Sequence, residues 1–130
     1  MNAPRPLSPH LSVYRFAHTM LLSVLHRATG IVLTVALLGV VSWLLALAVG
    51  PTPYAQVMVL WQSPLGWLVR VGLLASIAYH LCAGIRHLVF DSGYALEKAA
   101  ARRAGQWVVG VAMLLTVLSV VWMCCAGAAS

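Results

Sequence analysis

The chain has 130 residues, 62% of them hydrophobic and only 8% charged, with a net charge of +6 and a mean hydropathy of +0.95. Soluble domains carry charge on roughly a quarter of their residues, so this composition excludes an ordinary soluble fold and indicates an integral membrane protein. The basic residues flank long apolar runs, which argues for membrane topology and against a nucleic-acid partner.

Three apolar runs stand out, at 30–50, 65–85 and 107–126. Each approaches the ~20 residues that cross a bilayer as helix. The expected fold is therefore all-α, a single transmembrane domain over 1–130. It comprises a tail and interfacial segment at 1–19 and helices at about 20–49, 64–91 and 104–127. Proline-rich, polar sequence precedes the first run, which starts late for a secretory signal and is read as retained. Arg5, Arg15 and Arg27 precede the first apolar run, and Arg86, Lys98, Arg102 and Arg103 follow or close the second. The connection at 51–63 carries no Lys, Arg, Asp or Glu. By the positive-inside rule the N-terminus and the second connection face the cytoplasm, and the first connection and the C-terminus face the other side.

In chain order, Pro4, Pro6 and Pro9 force extended backbone, so no helix is expected before about residue 11. A helix from 20 to 49 would be ~45 Å long against a ~30 Å hydrocarbon core, so its first turns must protrude into the cytoplasmic interface. Those turns read S-V-L-H-R-A-T-G over 23–30. Ser23, His26, Arg27 and Gly30 share one helical face, presenting a hydroxyl, an imidazole and a guanidinium where membrane meets cytoplasm. That face reads either as a snorkelling arginine with a capping serine or as one wall of a cavity. The connection at 51–63 is expected to be a loop, with Pro51 and Pro53 stopping the first helix and Tyr54, Trp61 and Trp67 as interfacial aromatics. Pro64 suits a helix start, and Arg70 is expected to snorkel to the outer interface.

The second helix closes on Y-H-L-C-A-G-I-R-H-L-V-F-D over 79–91. His80 and His87 lie nearly in line, roughly 10 Å apart, with Gly84 between them. By its distance from Asp91, His80 sits near mid-membrane and His87 near the interface. Ser92 and Gly93 are expected to end this helix, and the polar stretch 97–103 to form a short helix or loop. The third helix, with no ionisable side chain but its cysteines, reads as scaffold. Cys82, Cys124 and Cys125 form no C-x-x-C-H and no iron-sulfur set.

A mid-membrane histidine needs a partner. Neutral imidazole is a good axial ligand for the iron of a b-type haem, which needs no thioether bonds, and Gly84 offers room for a flat macrocycle. Two ligands on one helix cannot flank one iron, so His80 and His87 are not an axial pair. His10, His18 and His26 are expected to lie too near the cytoplasm to meet His80, which leaves the second ligand to a partner chain. The other reading of His80 is a hydrogen-bonded histidine that only packs helices.

Two motifs, S-x-L-H-R-x-T-G over 23–30 and H-x-x-x-G-I-R-H-L-x-F-D over 80–91, stand in a three-helix pattern preceded by R-P-L-S-P-H-L over 5–11. Together they resemble the cytochrome b membrane-anchor subunits, of the large-anchor type, of succinate dehydrogenase, respiratory complex II, over essentially the whole chain. The resemblance implies that His80 is the axial ligand of haem b, the opposite ligand coming from a second small anchor subunit. It implies that Ser23 and Arg27 line a ubiquinone pocket at the junction with the iron-sulfur subunit. His26 and Arg27 would approach the haem propionates, and Gly84, Arg86 and His87 would lie in the haem neighbourhood. The family often has a histidine just before the ligand, where this chain has Tyr79.

Quinone reduction takes two electrons and two protons. It calls for a hydroxyl donor such as Ser23 and a permanent positive charge such as Arg27. The sequence holds no flavin fingerprint and no iron-sulfur cysteines, so succinate oxidation is expected on a flavoprotein subunit and an iron-sulfur subunit. The expected setting is a bacterial inner membrane, with a mitochondrial one second. The competing readings are a purely structural anchor or assembly subunit whose histidines only pack, and a small channel module, which the lack of mid-membrane ionisable residues on the first and third helices disfavours.

Overall fold

A computed structural model describes residues 18–128; the proline-rich tail and His10 lie outside the described residues. The chain forms α1 (His18–Val49), α2 (Pro51–Gln62), α3 (Pro64–Asp91) and α4 (Lys98–Ala128). All but α2 are long and apolar enough to cross a membrane. At 1.5 Å per residue, α1 and α4 run to about 45–50 Å, so each projects past a ~30 Å hydrocarbon core.

The connection at 51–63, expected as a loop, is instead mostly the helix α2. The prolines that stop one helix open the next. Gly50 turns the chain at φ 143°, a conformation open to glycine. Pro51 and Pro53 then fall in the first turn of α2, where a helix has no internal acceptor for their missing amides. At the far end, Ser63 breaks α2 in an extended conformation, and its Oγ accepts the Gly66 amide at 3.1 Å to cap α3. A side chain on Gly66 would collide with the Leu60 and Trp61 carbonyls, so glycine is what lets α3 start directly against α2. Arg70 does not stand alone at this end: its guanidinium lies 5.8 Å from the Trp61 ring centroid.

α3 ends as expected, with Gly93 at φ 84° behind a Ser92 cap. α4 starts at Lys98 rather than near 104. The stretch 98–103 reads K-A-A-A-R-R, polar but made of strong helix formers. Hydropathy marks where a helix enters the bilayer, whereas helix propensity decides where it begins.

α3 is the central helix, antiparallel to and packed against both α1 and α4. The seams are made of small residues. Ala78, Ala83, Val108, Ala112 and Leu22 are buried, as is Gly105, where an added Cβ would stand 2.5 Å from Leu22 Cδ1. In lipid, close backbone approach and van der Waals contact hold helices together, and only small side chains permit it. The remaining faces of the long helices are apolar and exposed, as lipid or partner helices require.

Candidate functional site

Three of the histidines meet at one place, the seam between α1 and α3. His26 of α1 stacks on His80 of α3, ring centroids 4.1 Å apart and planes inclined by 26°. The same His26 ring lies 4.9 Å from His87. It therefore sits between the two α3 histidines, over Gly84, where an added Cβ would meet only His26 Nε2, at 3.8 Å. Three imidazoles and a glycine form one cluster, and the space beside Gly84 is occupied by His26.

This corrects the expectation that His26 lies too near the interface to meet His80. α1 begins at His18, placing His26 about 12 Å along its axis, and His80 stands about 16 Å before the end of α3. Both helices protrude at the same end, so the two residues share a level. The ring stacking also bears on ligation. Axial ligands approach an iron from opposite sides with their ring edges, and two imidazoles lying face to face at van der Waals distance cannot do so together. As they stand, the His26 and His80 rings could not hold one metal ion between them.

His80 is held by its Nδ1. This atom lies 3.2 Å from the Thr29 Oγ1 and 3.2 Å from the His26 carbonyl oxygen. A carbonyl oxygen only accepts, so the ring nitrogen facing it carries the proton. The Thr29 hydroxyl spends its own proton on the α1 backbone, at 3.0 Å from Leu25 O and 2.9 Å from His26 O, and so offers His80 a lone pair. The carbonyl contact favours the Nδ1–H tautomer, in which Nε2 bears the lone pair; Nε2 makes no hydrogen bond among the described residues. Gly30 closes the arrangement: an added Cβ there would sit 3.2 Å from His80 Cε1.

Tyr79, to which the sequence assigned no role, donates to the Leu22 carbonyl of α1 at 2.8 Å, tying the two helices one turn from the cluster. Thr29 likewise stood within a motif without a role of its own. The available signal was its position three residues after His26, which turns both side chains toward α3.

The other expected site residues stand apart from the rings. Ser23 is half-buried and Arg27 exposed on α1, on the flank of the cluster rather than in it. Arg86 turns away from the histidines toward α4. It is 7% exposed, its Nη2 donates to the Ala101 carbonyl at 3.4 Å, and its guanidinium lies 4.3 Å from the Phe90 ring centroid. The His26 Nε2 is buried without a hydrogen-bond partner. Two shallow apolar grooves, of about 500 and 350 Å³, lie between α3 and α4 and share no residue with the histidine cluster.

A helical bundle with three candidate membrane spans and an interhelical cluster of three imidazoles defines a small multi-pass membrane protein. The family model of the succinate dehydrogenase/fumarate reductase transmembrane subunit matches residues 1–119, and the chain belongs to that family. It is 36% identical over 117 residues to the succinate dehydrogenase cytochrome b556 subunit of Paracoccus denitrificans, covering 90% of each chain. It is 39% identical over 124 residues to the cytochrome b560 subunit of Reclinomonas americana, covering 92% of this chain and 86% of that one. To the mitochondrial cytochrome b560 subunit of Sus scrofa it is 33% identical over 133 residues, covering 92% and 69%.

Proposed function

We propose that the chain is the large membrane anchor of a succinate:quinone oxidoreductase in a bacterial inner membrane, binding haem b with a second small anchor subunit and contributing to a ubiquinone-reduction site. The observation that carries the reading is the orientation of His80. Metal-ligating histidines characteristically donate their second ring N–H to an oxygen acceptor, which fixes the tautomer and raises the basicity of the ligating nitrogen. His80 has that arrangement, with Nδ1–H held by the His26 carbonyl and Thr29 and Nε2 left to ligate. The residues present therefore fit a b-type haem, and the buried, unpaired His26 Nε2 suits a nearby carboxylate such as a propionate.

When bound, the haem supplies a one-electron redox centre. The chain's own residues do the rest. His80 would hold the iron through Nε2, Gly84 and His87 would line the group's surroundings, and His26 and Arg27 would face its propionates. Ser23 donates a hydrogen bond to a quinone carbonyl, and Arg27 stabilises negative charge on the reduced ring by its fixed positive charge. Neither residue carries electrons, so the flavin and the iron-sulfur centres belong to the flavoprotein and iron-sulfur subunits, docked on the basic cytoplasmic face.

The test is a reduced-minus-oxidised spectrum of the purified complex beside one carrying His80→Ala. The expected result is a low-spin b-type band that is lost or altered in the variant. An unchanged band removes His80 as ligand and favours the structural reading, in which the stacked imidazoles only pack α1 against α3.

A further inference from the structure

We infer that Thr29 is a positioning residue for His80, setting the tautomer, orientation and donor strength of the nitrogen presented to the metal; the inference rests on the reading of His80 as haem ligand. Two independent features support it. The first is the hydrogen-bond arrangement around Nδ1. Thr29 Oγ1 lies 3.2 Å from Nδ1 and itself donates to carbonyls of its own helix, 3.0 Å from Leu25 O and 2.9 Å from His26 O. The His26 carbonyl, 3.2 Å from the same Nδ1, can only accept, so the proton belongs on that nitrogen. With its own proton turned to a carbonyl of α1, the Thr29 hydroxyl is then a second acceptor for Nδ1–H, and the lone pair is left on Nε2.

The second feature is steric. Gly30 follows Thr29, and a Cβ there would come within 3.2 Å of His80 Cε1. The ring is thus held edge-on to α1 at the one place where the helix surface is bare. His26 covers one face of the ring at a centroid separation of 4.1 Å. With one face stacked, one edge bonded to Thr29 and the His26 carbonyl, and Cε1 against Gly30, Nε2 is the remaining position from which the ring can bind.

Hydrogen bonding at Nδ1–H gives the imidazole partial anionic character, which strengthens the Nε2–metal bond and favours the oxidised metal. Removing the Thr29 acceptor weakens that donation. The haem b midpoint potential is therefore expected to rise in Thr29→Val, with a change in the low-spin ferric resonance of the oxidised complex, and to remain at the wild-type value in Thr29→Ser, which keeps the hydroxyl and loses only the methyl.

The whole assembled complex is used, with redox titration and electron paramagnetic resonance as readouts, and His80→Ala alongside. A potential and resonance in Thr29→Val indistinguishable from wild type, in a complex whose band depends on His80, overturns the inference while leaving the ligand reading intact. Equal shifts in the Val and Ser variants assign Thr29 a merely packing role and overturn it too. A band that survives in His80→Ala is a failure of the ligand reading itself. Should Thr29→Val fail to assemble, Thr29→Ala is read by the same redox titration and resonance: a raised potential supports the inference, and values indistinguishable from wild type overturn it.

Discussion

A single imidazole, His26, mediates between the two histidines of α3. It stacks on His80 and approaches His87, while its backbone carbonyl accepts from His80 Nδ1. One residue thus contributes a surface and an acceptor to the same ring, which makes its side chain and its main chain separable experimentally. Ser23 and Arg27 lie outside this contact network, half-buried and exposed on α1, and are the residues proposed to meet the quinone. Their substitution therefore has a selective expected effect. Arg27→Ala should lower succinate:quinone turnover by roughly 10²-fold, the order seen when a donor to developing negative charge is removed, and Ser23→Ala by a smaller factor. Succinate oxidation by a soluble artificial acceptor should hold in both. Assaying the two activities on one preparation checks it, and equal losses in both would place these residues in assembly rather than at the quinone.

At the scale of elements, glycine and alanine placement decides how closely the helices approach. Gly105 of α4 faces Leu22 of α1, which is 3% exposed, and an added Cβ would stand 2.5 Å from Leu22 Cδ1. Gly105→Ala is expected to cost about 1–3 kcal/mol by overpacking, and Leu22→Ala about 2–5 kcal/mol by leaving a void. Combined, the two should cost less than their sum, because the new methyl enters space the leucine vacates. Thermal denaturation of the detergent-solubilised complex measures this; strict additivity would mean that Leu22 is not what Gly105 accommodates. The Tyr79 hydroxyl on the Leu22 carbonyl braces the same junction. An interhelical hydrogen bond of this kind in a membrane bundle is worth about 0.6 kcal/mol on average, so packing rather than this bond dominates the seam.

For the whole molecule, three spans place the α3–α4 connection on the same side as the start of α1, with α2 on the opposite side. Positive charge gathers on the first of these sides, where Arg27, Lys98, Arg102 and Arg103 lie, and the connection through α2 has none. That asymmetry predicts a cytoplasmic N-terminus. In a chain lacking its native cysteines, Tyr94→Cys should react with a membrane-impermeant maleimide only from the cytoplasmic face, and Thr52→Cys only from the other. Both positions are exposed. The reverse pattern of labelling would invert the orientation.

Class, span number and the second span, α3, were legible in the sequence because hydropathy over ~20 residues and a proline or glycine at a boundary act locally. α2 was not, since a proline reads alike whether it ends one helix or opens another until the Gly50 turn is known. The start of α4 was not, because hydropathy does not report a polar helix that continues beyond the membrane. The two motifs marked where chemistry concentrates, but the level of His26 relative to His80 depends on how far α1 and α3 protrude and how they are registered against each other. Only their packing sets that register. The sequence by itself therefore determined a three-span helical protein with histidines on the first two spans. The tertiary structure alone decided that His26, Thr29 and Gly30 surround His80, because contacts between residues 51 positions apart in the chain depend on interhelical register, which no local pattern encodes.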